Sequence, residues 1–443
     1  MVRDNQLTTS QAAELAGRIA AASVKTAAMP AHERAAILTR ISEGLTKRSE
    51  EFARLITEEV KKPIKDARRE VARAVFTFRW AGQEALRLGG EVMPLDLEPG
   101  TEGRLALIRR FARGPALLIS PFNFPLNLVA HKVAPAIAVG APYVHKPASC
   151  ARRVAVELGR LVVESGWPAE AMAVVKVSGE AAEALVKDDR FAVLSFTGSG
   201  IVGWRLKSLA GKKSVLLELG GNAGVFVGED ADLELAAARC AWGANVYAGQ
   251  VCIKVQRIFV LDKVYAEFKS LLLKKVSELK QGDPADEKTD VGPLITEAEA
   301  KRVESWVQDA VAAGAEVLCG GKRKADFFEP TVLEDVPEHC RVSCDEIFGP
   351  VTTLAPVPSA DEALRRMAQS RYGLQAGLFT KDMGVIMRFW ERLPVGGIIV
   401  NDVPTFRSDA MPYGGTKDSG IGREGVRFSI EEFSELRTLV LRT

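Results

Sequence analysis

What this chain lacks narrows its class before any motif is read. No apolar run among its 443 residues reaches the roughly 20 needed to cross a bilayer, and Met1 to Thr9 is polar, without the apolar core of a secretion signal. The expectation is a cytoplasmic protein with no membrane partner. A strong charge of one sign is missing too: 59 Lys and Arg face 57 Asp and Glu, a formal net charge of +2, and no basic run stands out. Nucleic acids and anionic membranes select clustered basic residues, so neither is an expected partner. The six cysteines (150, 240, 252, 319, 340 and 344) have no metal-type spacing, since Cys340 and Cys344 lack a matching second pair. Reduced thiols and no bound metal are expected. Internal repeats and low-complexity segments are also absent.

What is present reads as a globular chain, 26% charged and 47% hydrophobic, long enough for two or three domains with ample core. From Gln11 to Leu88 apolar residues recur at three and four spacing, which predicts a helical layer. Pro and Gly interrupt it between Met93 and Gly103, and Leu105 to Ile119 then reads as two short strands parted at Arg113-Gly114, a hairpin. Beyond Pro125, strand candidates at Tyr143-Val144, Ala173 to Val175, Val193 to Phe196 and Ser214 to Leu217 alternate with helical stretches at 151–165 and 180–187. Alternation of this kind predicts an α/β fold with a parallel sheet covered by helices. A second alternating block runs from Asn222 to Val400, with strands expected at 257–260, 377–380 and 397–400. Leu436 to Leu441 reads as a terminal strand with no chain left to pair with, so it completes a sheet elsewhere or in a partner subunit.

The chemistry concentrates in two Gly-rich settings. Cys252 ends Ala248-Gly249-Gln250-Val251-Cys252, and Glu218, 34 residues earlier, opens Glu218-Leu219-Gly220-Gly221-Asn222. A thiolate attacks electron-poor carbon and leaves well from a thioester, while a carboxylate can take the proton of the water that cleaves it. A lone cysteine is more often an inert core residue, but the surroundings of Cys252 argue for a nucleophile. A rival reading exists for Glu218. Gly198-Ser199-Gly200-Ile201-Val202-Gly203 follows an apolar run ending at Phe196 and precedes a helical stretch, which fits the dinucleotide fingerprint, and Glu218 lies twenty positions on, where a ribose-binding acid belongs. Base and ribose ligand both stay open here.

These segments, with Pro121-Phe122-Asn123-Phe124-Pro125, Asp345-Glu346-Ile347-Phe348-Gly349-Pro350 and Pro412-Tyr413-Gly414-Gly415-Thr416-Lys417, resemble the aldehyde dehydrogenase superfamily across nearly the whole chain. The resemblance implies a Rossmann-like cofactor-binding domain over 1–217, with 94–115 giving an oligomerisation hairpin. It further implies a catalytic domain over 218–405, and a return segment with an oligomerisation strand over 406–443. It implies oxidation of an aldehyde to an acid with NAD or NADP in a homodimer or homotetramer. Cys252 would be the nucleophile, Glu218 the base and Asn123 the oxyanion donor, although Asn123 also reads as a turn residue between prolines. Cofactor contacts would come from Ser120, Pro121, Phe122, Lys146, Ser149, Thr197, Gly198, Ser199, Leu219, Glu346 and Phe348. Read without the resemblance, Lys146 is a solvated lysine and Glu346 half of a loop salt bridge. Two departures stand out: Phe122 occupies a position where the family often has Trp, and Ser149 stands where members preferring NAD commonly place an acid, so both cofactors stay open.

For substrate, Asn401 to Asp409 with Met411-Pro412-Tyr413 resembles the branch oxidising lactaldehyde, phosphonoacetaldehyde and glyceraldehyde 3-phosphate. Arg73 and Arg407 would grip an anionic group, or else pair on the surface with acids such as Asp409 and Glu70. Val251, before the nucleophile, takes the place of an arginine in some anion-specific members. A small, polar or anionic aldehyde is expected. Two rivals remain: acyl transfer to coenzyme A, and a non-catalytic protein built on the same fold.

Overall fold

The computed structural model describes residues 2–442; Met1 and Thr443 lie outside the described residues. Two seven-stranded sheets carry the site. In the first, the strands run in the order Val2–Leu7, Met172–Val177, Tyr143–Lys146, Ala116–Ile119, Val193–Thr197, Ser214–Glu218 and Gly420–Ile421. All neighbours are parallel except the last, which returns antiparallel to Ser214–Glu218. The chain fills one side outward from Ala116–Ile119, then jumps back to Val193–Thr197 on its other flank. That reversal opens a crevice at the carboxyl ends of these two strands, the place where doubly wound sheets bind ligands. Val2–Leu7 was not foreseen, because its largely polar sequence lacks an apolar strand pattern; it forms an edge strand parallel to Met172–Val177, with Leu7 in the core.

The second sheet runs Glu316–Cys319, Thr331–Glu334, Val351–Val357, Arg257–Leu261, Gly224–Val227, Gln375–Phe379 and Gly397–Val400. Only Glu316–Cys319 is antiparallel to its neighbour. Ser419, wholly buried, ties the two sheets together. Its hydroxyl donates to Gly220 O at 2.7 Å and accepts from Gly373 N at 3.0 Å, while its carbonyl accepts from Leu219 N at 3.0 Å.

The helical layer forms as five helices between Thr9 and Leu86. Helix Asn127–Val139, behind the crevice, is buried on every face, which its almost uniformly apolar sequence permits. Glu70 from helix Ile64–Leu86 caps its start, accepting from Leu126 N at 2.8 Å and Asn127 N at 3.1 Å. Gly140 ends it at φ 82°, where a Cβ would lie 2.7 Å from Thr26 O.

The expected hairpin needs correction. Arg104–Ala112 does not pair with Ala116–Ile119; the two strands belong to different sheets, parted by the turn at Gly114, φ 143°. Arg104–Ala112 instead lies between Gly90–Pro94 and the terminal strand Ser434–Arg442, both antiparallel to it. The terminal strand therefore finds its partner in its own chain, over nine registered pairs from Ser434–Ala112 to Arg442–Arg104.

Candidate active site

The loop that carries Cys252 is built under strain. After helix Leu233–Asn245 the chain passes Tyr247, Ala248 and Gly249 with φ of 50°, 51° and 70°, a left-handed run that non-glycine residues adopt only when held. Tyr247 is held: its hydroxyl donates to Val60 O at 2.6 Å, and the buried Lys62 ammonium sits 4.7 Å from its ring centroid. Gly249 has no alternative, since a Cβ there would meet Gly349 O at 2.2 Å. Gln250 braces the turn, accepting from Ile295 N at 2.9 Å. Its carbonyl accepts from the Asn123 amide at 3.0 Å, so the loop after Ala116–Ile119 is fastened two residues before Cys252.

Cys252 is part-buried, and its Sγ lies 3.1 Å from the Tyr413 hydroxyl. Burial pushes the thiol up to about 12. Glu218, at the end of Ser214–Glu218, is 4% exposed and turned into the protein, with Oε2 unpartnered among the described residues. Burial, then the negative field of Glu424, raises its carboxyl well above the usual range. A carboxyl left short of partners beside a thiol can hold a proton and release it, which is what general-base work requires.

Behind these groups runs a buried chain of charges. Lys132 donates to Glu424 at 3.0 Å and to Ser195 Oγ at 2.9 Å; Arg407 pairs with Glu424 at 3.2 Å and lies over the Tyr413 ring, 3.7 Å from its centroid. Asp409 takes Arg73, His131 and Asn127. Against the burial that would raise them, His131 and Arg73 hold Asp409 low, and Lys132 and Arg407 hold Glu424 at about 2. The expected pairing with surface acids needs correction: Arg73 does take Asp409, but that acid is buried, the Arg407 side chain is buried on Glu424, and the buried Glu70 serves Lys62 rather than an arginine.

Cys252, Val251, Arg73 and Arg407 line one cavity of about 220 Å³. The same wall carries Arg69 and Arg239, which nothing in their helical segments singled out. Arg69 makes one 3.1 Å contact to Asp66, and Arg239 is held by Asp402 at 2.6 and 3.2 Å.

On the crevice side, Ser120, Pro121 and Phe122 follow the Ala116–Ile119 strand, Lys146 closes Tyr143–Lys146, and Ser149 is exposed in the turn beyond it. Gly198 and Ser199 lie between Val193–Thr197 and helix Gly200–Leu209. Phe122 and Phe348 meet edge to face with centroids 6.1 Å apart, and Phe348 has φ 47°. Glu346 accepts from Gly221 N at 3.0 Å and packs so tightly on Gly220 that a Cβ there would sit 2.5 Å from its carboxylate. Its pKa is pushed by burial to about 7. Leu219 is buried beneath Gly203. These residues fit a dinucleotide: the Thr197 hydroxyl is buried and unpartnered among the described residues, and helix Gly200–Leu209 begins three residues further on, its first N–H groups free of helical partners as phosphate-binding helix starts are.

A cysteine on the wall of an open cavity, beside a crevice that fits a dinucleotide, is an arrangement suited to an oxidoreductase. The chain is a member of the aldehyde dehydrogenase family, whose sequence profile matches residues 2–439. It is an enzyme of NAD(P)-dependent aldehyde oxidation, and no helix among the described residues is long and apolar enough to cross a membrane. It is 43% identical to the 3-sulfolactaldehyde dehydrogenase of Priestia aryabhattai over 411 residues, 93% of this chain and 86% of that protein. Aldehyde dehydrogenase 21 of Physcomitrella patens, solved with its reaction product succinate, superposes with a TM-score of 0.97 at 44% identity, covering 99% of this chain and 91% of that one. The glyceraldehyde-3-phosphate dehydrogenase GapN of Methanocaldococcus jannaschii, solved with NADP, gives 0.96 at 36%, covering 100% and 96%.

Proposed function

We propose that this enzyme oxidises a small, polar or anionic aldehyde to its carboxylic acid through covalent attachment to Cys252. The thiolate attacks the carbonyl carbon, and the resulting alkoxide rests against the Asn123 amide and the Cys252 backbone N–H. One Asn123 amide hydrogen is taken by Gln250 O, which orients the other. NAD(P), when bound, accepts the hydride and leaves a thioester on Cys252. Glu218 then takes a proton from water, which adds to the thioester carbon and expels the thiolate.

The buried, under-partnered Glu218 carboxyl carries this reading. A ribose ligand would face the crevice, and a transferase to coenzyme A would have no use for a base there. Lys146, Ser149, Thr197, Gly198, Ser199, Glu346 and Phe348 would hold the cofactor, with Ser120, Pro121, Phe122 and Leu219 forming its floor. The anionic part of the reading rests on four arginines around the cavity. Each is paired with an acid, Arg73 with Asp409, Arg407 with Glu424, Arg69 with Asp66 and Arg239 with Asp402, so an anionic substrate would share these guanidinium groups with their carboxylates. The relatives' sulfonated, phosphorylated and carboxylated ligands support it by analogy. The sheet of Gly90–Pro94, Arg104–Ala112 and Ser434–Arg442 exposes Val92, Leu107, Leu439 and Leu441 along one side, an apolar face suited to a second copy of the chain.

Single-turnover NAD(P)H formation by wild type and Glu218→Gln tests the mechanism. A burst of about one equivalent followed by a stall supports Glu218 as the deacylation base; full turnover regained at higher cofactor concentration makes it a ribose ligand instead.

A further inference from the structure

Cys252 has a polar neighbour that the mechanism above leaves idle. The Tyr413 hydroxyl stands 3.1 Å from Sγ, and its direction is fixed from three sides. Its backbone is locked to Glu424 by N–H to O contacts of 2.9 and 2.6 Å, its ring lies against the Arg407 guanidinium, and the side chain is 3% exposed. Burial, then the adjacent Cys252, drives the phenol pKa well above its usual range, so the oxygen keeps its proton and donates whenever the sulfur is charged.

We propose that Tyr413 is a catalytic residue of acylation, which stabilises the Cys252 thiolate through an O–H···S hydrogen bond and aims its lone pair at the substrate carbon. The inference rests on Cys252 being the nucleophile. As the C–S bond forms, the carbonyl π pair moves to oxygen and the phenol keeps its hydrogen throughout. Once sulfur is neutral in the thiohemiacetal and thioester, it is a poor acceptor and the hydroxyl is released. Tyr413 therefore acts when the thiolate attacks and again when hydrolysis expels it, and is idle between.

Tyr413→Phe keeps the ring under Arg407 and removes only the hydroxyl. The rate of Cys252 alkylation by iodoacetamide, followed against pH with the label located by peptide mass spectrometry, reads the thiolate directly. The expected result is an alkylation profile moved about one pH unit upward, and a burst rate lowered about ten- to a hundredfold at neutral pH, the worth of a hydrogen bond to a charged group. Burst amplitude should stay at about one equivalent. Replacing Tyr413 by 3-fluorotyrosine, a stronger donor of the same shape, should move the profile downward. Profiles that superpose for all three proteins overturn the proposal. A different result, label on another cysteine or turnover retained in Cys252→Ala, would instead overturn the nucleophile reading itself.

Discussion

Asp409 receives Arg73 through both carboxylate oxygens, at 2.7 and 3.0 Å, and the same carboxylate takes His131 at 2.8 Å and Asn127 at 3.1 Å. An arginine of the cavity wall is thus secured from behind by an acid 336 residues away in sequence. Removing the acid strands Arg73 and deprives three donors of their acceptor at once. Asp409→Ala should lose about 3 kcal/mol of stability, by analogy with broken buried pairs and discounted because Arg73 is partly exposed. A urea midpoint within error of wild type would refute it.

Cofactor preference should turn on the exposed side chain at 149. A carboxylate there would hydrogen-bond the adenosine ribose and repel a 2′-phosphate. Ser149→Glu is expected to weaken NADP binding at least about tenfold relative to NAD, an effect of about 1.4 kcal/mol. Fluorescence titration of both cofactors on both proteins decides it, and an unchanged ratio rejects the assignment of this position.

The pH dependence of stability should carry the mark of His145, whose Nε2 lies 2.8 Å from Ser120 Oγ. Burial, then Lys132 and Lys146, lowers its pKa from 6.5 to about 3. Between those values the unfolded chain accepts a proton that the folded chain refuses, so stability falls as pH falls, by up to about 1.4 kcal/mol per unit from this residue. His145→Gln should flatten the urea midpoint between pH 6 and 4; equal slopes in both proteins would exclude the contribution.

Gly249→Ala should disable the enzyme more than it unfolds it. The new methyl would collide with Gly349 O and resist a φ of 70° three residues before Cys252. A burst rate reduced by about a hundredfold or more, with far-UV circular dichroism intact, is expected. Normal burst kinetics would mean that the loop tolerates the strain.

Much of this was legible from periodicity and motif. The alternation after Pro125 announced the parallel sheet, and strands Val193–Thr197, Ser214–Glu218 and Arg257–Leu261 lie where apolar runs end in Gly or polar turns. The hairpin was misread because Ala106, Leu107 and Ile108 pair with residues that precede and follow them at a distance, and strand pairing over such separations leaves no local trace. Arg69 and Arg239 were missed for a related reason: on amphipathic helices, an arginine aimed into a cavity and one aimed at water have the same spacing. Tyr413 stood within a noted motif, but its contact with Cys252 spans 161 residues and only folding brings the two together.

The bonds made by Ser419 act as a rivet through both halves of the molecule. Its bonds to Leu219 and Gly220 extend the pairing of Gly420–Ile421 with Ser214–Glu218 in the first sheet. The bond from Gly373 N–H reaches the segment that leads into Gln375–Phe379 of the second and would have to break before the two sheets could part like jaws. On the proposed cofactor site, nucleotide exchange in such a body would fall to the short stretches 198–199 and 346–348, while the frame stays still. Scattering profiles with and without NADP should therefore overlay, and the pace of product release becomes a property of a few loop residues rather than of the whole enzyme.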